Sequence, residues 1–198
     1  SASVYAGMRV GAVAVRAGAS YSDLDVKTSR NATLGALSEH LSAKYGGKAT
    51  TLFGEVGYPL QLAGGDVIEP FAGMNALWLK NDAFDENGGS LALHGEGRSR
   101  GYSWSTLGVK GNFALGKDRP VMINATVGWQ HALSSRNVES RLAFAQGGPA
   151  YTIQGAPLAK DAALLGLDVD WQLSPATQIG IGYSGSLTNQ GSSHAAHA

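Results

Sequence analysis

The stretch Thr51-Leu52-Phe53-Gly54-Glu55-Val56-Gly57-Tyr58-Pro59-Leu60 decides how the rest of the chain is read. At a period of two, Leu52, Gly54, Val56, Tyr58 and Leu60 fall on one side, and Thr51, Phe53, Glu55, Gly57 and Pro59 on the other. Successive side chains of a strand point to opposite faces, so one face is mostly apolar and the other carries a carboxylate. A helix fits less well, because its Leu52, Val56 and Leu60 stripe would include Gly57 and Pro59.

Working outward, the same alternation recurs with turns between. A first strand sets Val4, Ala6, Met8 and Val10 against Tyr5, Gly7 and Arg9; Gly11-Ala12 is its turn. A second sets Val13, Val15, Ala17, Ala19 and Tyr21 against Arg16, Gly18, Ser20 and Ser22, and a polar loop from Lys27 to about Glu39 follows. The third runs from about Leu41 to Leu60 and ends in the turn Ala63-Gly64-Gly65-Asp66. The fourth, Glu69 to Trp78, puts Pro70, Ala72, Met74, Ala76 and Trp78 opposite Glu69, Gly73 and Asn75; a long loop from Asn81 to about Ser99 comes next.

The fifth strand sets Ser105, Leu107, Val109, Gly111 and Phe113 against Trp104, Thr106, Gly108, Lys110 and Asn112, and Gly116 to Pro120 turns the chain. The sixth sets Val121, Ile123, Ala125, Val127 and Trp129 against Met122, Asn124, Thr126, Gly128 and Gln130. In the connection from Ser134 to Lys160, Arg141–Phe144 and Tyr151–Gln154 are expected to pair as a hairpin. The seventh sets Leu165, Leu167, Val169, Trp171 and Leu173 against Gly166, Asp168, Asp170 and Gln172. After Ser174-Pro175-Ala176, the eighth sets Ile179, Ile181 and Tyr183 against Gln178, Gly180, Gly182, Ser184 and Ser186.

Composition narrows what such a sheet is for. The 198 residues suit one domain, with 15% charged residues, 28 glycines, no cysteine and zero formal net charge. Absence of cysteine excludes disulfides and thiolate metal sites, and the charge balance gives no reason to expect nucleic acid. No apolar run of about 18 residues exists, so no transmembrane helix is expected, whereas barrel strands need only about ten alternating residues each.

Three features favour a membrane barrel over a soluble sandwich. Connections after odd-numbered strands are short and those after even-numbered strands long, which places turns at one rim and loops at the other. The polar face is built from Gly, Ser, Thr, Asn, Gln and isolated charges, as a lumen requires. Tyr21, Tyr58, Trp78, Trp129, Trp171 and Tyr183 fall on the apolar face, several near strand ends, as an interfacial girdle does. The expected fold is an all-β, antiparallel up-and-down transmembrane β-barrel. Arg9, Arg16, Glu55, Glu69, Asn75, Lys110, Asn124, Gln130, Asp168 and Asp170 are expected to face its lumen and those six aromatics its lipid.

With these segments laid out, the chain resembles the C-terminal translocator domain of bacterial autotransporters, the type V secretion family. The resemblance is carried by Phe53-Gly54-Glu55-Val56-Gly57-Tyr58, Glu69-Pro70-Phe71-Ala72, Ser105-Thr106-Leu107-Gly108, Gly128-Trp129-Gln130-His131-Ala132 and Gly182-Tyr183-Ser184-Gly185. Ala143–Gly148 and Gly155–Ala162 look like the family's intervening loop. The resemblance implies a twelve-stranded barrel threaded by a helix, of which the eight strands here would be numbers four to eleven. The first three strands, the helix and the passenger would be missing, and the last strand only begun at Ser193–Ala198. Residues 1–198 would thus be a partial barrel domain that anchors and exports an N-terminal passenger. Implied partners are outer-membrane lipid, that passenger, the barrel-assembly machinery and periplasmic chaperones. A passive outer-membrane channel and a soluble all-β binding domain are the alternatives.

No enzyme chemistry, cofactor or metal site is expected. His40, His94, His131, His194 and His197 show no ligand spacing on one element, and a pairing of His194 with His197 on a metal is weaker than a coincidence at a strand start. Asp82–Gly88 lacks the distal Glu of an EF-hand, Gly95-Glu96-Gly97-Arg98 precedes a strand rather than a helix, and Ser105 and Ser184 sit in no nucleophile elbow.

Overall fold

A computed structural model describes residues 1–116 and 121–198, and every regular element in them is a strand. In chain order these are β1 (Ala2–Val10), β2 (Val13–Leu34), β3 (Leu37–Gly57), β4 (Leu60–Gln61), β5 (Val67–Asn81), β6 (Phe84–Asp85) and β7 (Leu93–Gly95). They continue with β8 (Arg98–Leu115), β9 (Val121–Ala132), β10 (Glu139–Phe144), β11 (Tyr151–Gln154), β12 (Asp161–Ser174), β13 (Thr177–Thr188) and β14 (Gly191–His197).

The main sheet runs β1-β2-β3-β5-β8-β9-β12-β13-β14, all neighbours antiparallel, with β4 paired to β5. Strands next in sequence are thus next in space, the up-and-down order expected. Among the described residues nine long strands are present rather than eight, because Gly191–His197 completes a ladder with β13 from Thr188↔Gly191 to Gly182↔His197. Among the described residues β1 pairs only with β2 and β14 only with β13, so the sheet is not closed.

The turns at one rim follow their residue chemistry. Gly11 takes φ +61° in the two-residue link between Val10 and Val13, and Gly64 and Gly65 take positive φ where the Leu62 amide donates to the Asp66 carbonyl at 2.8 Å. Ser174 partners Thr177 around Pro175-Ala176. The expected Gly116–Pro120 turn falls on residues 117–120, outside the described residues.

At the opposite rim the expectation needs correction. The polar stretch 27–39 is not a loop: β2 and β3 stay paired in one register from Ala14↔Gly57 to Leu34↔Leu37. Apolar alternation stops at about Tyr21, but the backbone ladder does not depend on side-chain polarity. The third strand also stops at Gly57 rather than Leu60. The Tyr58 amide still donates to the Pro70 carbonyl at 3.0 Å, but Pro59 has no N–H to donate, and the ladder resumes at Leu60↔Ile68. The connection after β2 is therefore a tight turn on two extended strands, whereas those from β5 to β8 and from β9 to β12 are long, as expected.

The long connections carry a second, four-stranded sheet in the order β11-β10-β7-β6. It contains the expected hairpin, with Arg141↔Thr152 and Leu142↔Tyr151. It is tied to β3 by paired backbone bonds between Ser42 and Asn87 at 3.0 and 2.8 Å and by stacking of Tyr45 on Phe84 at 4.8 Å. Three of the four apolar residues buried among those described, Leu41, Ala43 and Ala92, lie here. Elsewhere in the main sheet Ala14 is the only buried apolar residue among those described. Leu52, Met74, Val109, Val127 and Ile181 are exposed, as are Trp129 at 48%, Leu167 at 46% and Trp171 at 45%. A soluble sandwich buries these side chains; here they form the outside.

Candidate functional site: the polar face of the sheet

Strand register sorts the side chains. Pairing carries Arg9↔Ala14, Arg16↔Glu55, Phe53↔Asn75, Glu69↔Lys110, Thr106↔Gln130 and Asn124↔Asp168 across the sheet. Directly paired residues share a face. Arg9, Arg16, Glu55, Glu69, Asn75, Lys110, Asn124, Gln130, Asp168 and Asp170 therefore all stand on one face. Tyr21, Trp78, Trp129, Trp171 and Tyr183 stand on the other, through Tyr21↔Thr50↔Trp78, Trp129↔Ala163, Trp171↔Ile179 and Leu167↔Tyr183. Tyr58 lies just beyond β3, outside any strand, and is exposed.

The structure joins several of these polar residues in one cluster. The Arg16 guanidinium donates to Glu55 Oε1 at 2.9 Å and, as a fork, to both oxygens of Glu69, with Nη2 to Oε2 at 3.0 Å. Lys110 Nζ donates to Glu55 Oε1 and lies 4.4 Å from the centre of the Phe71 ring. Glu69 retains only 5% exposure, so its charge survives there because it is paired. A Cβ at Gly57 would overlap the Glu69 carboxyl, so only glycine leaves room for that side chain. Further along, Asn112 donates to Asn124, which donates to Asp170 at 3.3 Å. Asp168 is 3.2 Å from His197 on β14. Gln130, Asn75 and Arg9 share the face without joining the cluster's hydrogen bonds.

Arg16 reaches Glu69 across an intervening strand, and Glu55 reaches Lys110 in the same way. Strands two apart are about 9.6 Å from one another. Tips meet over that span most readily on the concave side of a curved sheet. The other side, with its exposed leucines, valines and tryptophans, is then convex.

The same polar face continues past the aromatic row, and there the sequence reading missed the residues that fasten the long connections. Arg30 donates to both oxygens of Glu86, at 2.9 and 2.7 Å, and to the Leu91 carbonyl at 2.9 Å. Glu39 accepts from the backbone amides of Ser90 and Leu91 at 2.9 and 2.8 Å. Arg98 and Arg100 both reach Glu139 Oε2, at 3.1 and 3.0 Å. Parity alone could have flagged Arg30, which sits an even number of residues from Arg16 in an unbroken strand. Its partner, fifty-six positions away, could not have been named.

These contacts hold Glu86 below the usual carboxylate range, chiefly through the bond from Arg30, and Glu39 below it through the two backbone amides. The bond from His131, at 2.7 Å, does the same for Asp161. A carboxylate with a depressed folded pKa stabilises the structure above its unfolded pKa, and that stabilisation disappears as pH falls through the folded value. The fastening of residues 84–95 is therefore expected to persist at neutral pH and to loosen only below the ordinary Glu range of about 4.3. Hydrogen exchange at the amides of Ser90, Leu91 and Leu93, corrected for intrinsic rate, should lose protection on that acid limb and not between pH 5 and 7.

Among the described residues no group of three His, Asp or Glu is placed to hold a metal ion. His194 and His197 lie on opposite faces of β14; His194 bonds the Tyr183 hydroxyl at 2.7 Å and His197 faces Asp168.

A family model described as autotransporter beta-domain matches residues 1–184. The chain belongs to the autotransporter beta-domain family. It is a β-barrel segment of the bacterial outer membrane and of type V secretion. Two proteins named extracellular serine protease, both from Serratia marcescens, are 30% identical over 187 and 189 residues, 94% of this chain. The chain spans only 18% of their length. Among solved structures, the translocator domain of autotransporter NalP from Neisseria meningitidis superposes over 98% of this chain and 62% of its own, with TM-score 0.71 and 22% identity. At that identity the likeness speaks for the fold, and it agrees with the strand order seen here.

Proposed function

We propose that this chain forms part of the wall of a translocator barrel that anchors and exports an N-terminal passenger. Its polar face lines the lumen and its aromatic and aliphatic face meets lipid. One observation carries this reading: the sheet is inverted, with charged side chains gathered at one another on one face and large apolar ones exposed on the other. In hydrocarbon every backbone polar group must be paired, so the strands pair laterally and the sheet closes with further strands. Residues 1–198 are then one part of a twelve-stranded barrel domain.

The reading gives this segment no catalytic role. The protease named in the Serratia relatives corresponds to passenger sequence outside the matched segment. The partners are the outer-membrane lipid, the passenger, the barrel-assembly machinery and periplasmic chaperones.

Single cysteines test the assignment, since this chain has none of its own. In the full-length protein in outer membranes, cysteines replacing Lys110 and Asp168 should react with a small water-soluble maleimide. Those replacing Leu167 and Val127 should resist it until the membrane is dissolved. Lipid protection at 110 together with aqueous labelling at 167 would reverse the two faces and end the proposal.

A further inference from the structure

We infer that the convex face of β2, β3 and β5, just beyond the aromatic row, binds a phosphorylated glycolipid head group of the outer leaflet, with Lys48 and Lys80 as a lower tier and Lys44 and Lys27 as an upper one. The inference rests on the lipid-facing assignment of that face made above. Tyr21, Thr50 and Trp78 form one row across the three strands. Two residues past it, Lys48 stands directly opposite Lys80; four residues further, Lys44 stands directly opposite Lys27. All four side chains are exposed.

Like charges directly opposite each other destabilise an antiparallel pair, and this surface has two such pairs in sequence. Acids share this face and offset part of the charge, but none forms an ion pair with these lysines among the described residues. Asp23, opposite Lys48, accepts the Tyr21 hydroxyl at 2.9 Å, while Asp25 and Asp82 flank Gly46 between the tiers. Among the described residues no carboxylate lies within 4 Å of any of the four ammonium groups. On the opposite face Arg16, Arg30, Arg98, Arg100 and Lys110 are each paired with one. The four lysines beside the aromatic row differ from these five in having no such carboxylate partner among the described residues.

Spacing identifies the ligand class. At about 3.4 Å per residue, the lower tier lies about 7 Å along the strand from the aromatic row and the upper tier about 20 Å. A phospholipid has one phosphate near the interface and cannot engage both tiers. A glycolipid bearing phosphates on successive sugars can, and lysine is a compact point charge suited to phosphate.

The test uses the full-length protein purified from outer membranes in mild detergent, with bound lipid counted by native mass spectrometry. The probes are a diphosphorylated lipid A, the same lipid extended by phosphorylated core sugars, and phosphatidylglycerol. Lys48→Gln/Lys80→Gln should lower retention of both glycolipids at least tenfold. Lys27→Gln/Lys44→Gln should lower only that of the extended form. Lys160→Gln should match the unmodified protein, and phosphatidylglycerol should not compete. Equal retention by Lys48→Gln/Lys80→Gln and the unmodified protein overturns the inference, as does competition by phosphatidylglycerol. Heat-shifted gel mobility checks that each variant is folded. Quenching of Trp78 by brominated lipid separates the two readings: quenching without glycolipid binding sinks this inference alone, and absence of quenching sinks the lipid-facing assignment with it.

Discussion

Replacing Leu167 by arginine should cost about 2–4 kcal/mol of barrel stability, the penalty for a basic side chain facing lipid at mid-depth. Leu167 sits midway along β12 between Ala163, which pairs with Trp129, and Trp171. Those two rows are eight residues apart, about 27 Å along the strand, which projects to about 20 Å at a typical barrel tilt. Arginine there cannot easily extend to either interface. Ser184 is the control: it pairs with Gly166 on the other face at nearly the same height, and Ser184→Arg should change stability by less than 1 kcal/mol. Urea titration of folding into phospholipid vesicles, read by heat-modifiable mobility, measures both. Equal penalties would show that both faces meet the same solvent, and the distinction between lumen and lipid would be lost.

Arg16→Met should destabilise by about 3 kcal/mol, because it leaves Glu69 buried without its forked partner. Lys110 does not rescue it, since its ammonium is engaged with Glu55. Arg16→Met/Glu69→Leu should recover most of the loss, as buried ion pairs replaced by apolar side chains of similar volume are commonly near neutral. Glu55 keeps Lys110 in that double variant. The same titration reads the series. A cost below 1 kcal/mol for Arg16→Met would mean that water reaches Glu69 freely and that the cluster is no more than a set of exposed pairs.

The two sets of residues were legible in the sequence to different degrees. Each side chain's face follows from its parity along a strand, and parity is printed in the residue order. Arg16, Glu55, Glu69 and Lys110 could thus be placed on one face without coordinates. That Arg16 would reach past its direct neighbour Glu55, which it also bonds, to fork onto Glu69 could not, because the curvature that brings strands two apart together is a property of the whole sheet. Lys48 and Lys80 show the same limit. Neither is conspicuous alone, and only the register between β3 and β5 makes them a pair.

The extended rim was misread for a physical reason. Period-two apolarity marks a strand only where one of its faces is apolar, so residues 27–39, mostly polar on both faces, looked like a loop. The backbone ladder between β2 and β3 needs only N–H and C=O groups in register, and it runs on to Leu34 and Leu37.

By itself, the order of residues determined the strand period, the polar and apolar faces, and the places where glycine and proline turn the chain, because all three are local consequences of backbone geometry. Tertiary structure alone decided which charges meet, where the long connections are fastened by Arg30, Glu39 and Glu86, and which lysines stand opposite one another, because those outcomes depend on groups brought together from distant strands.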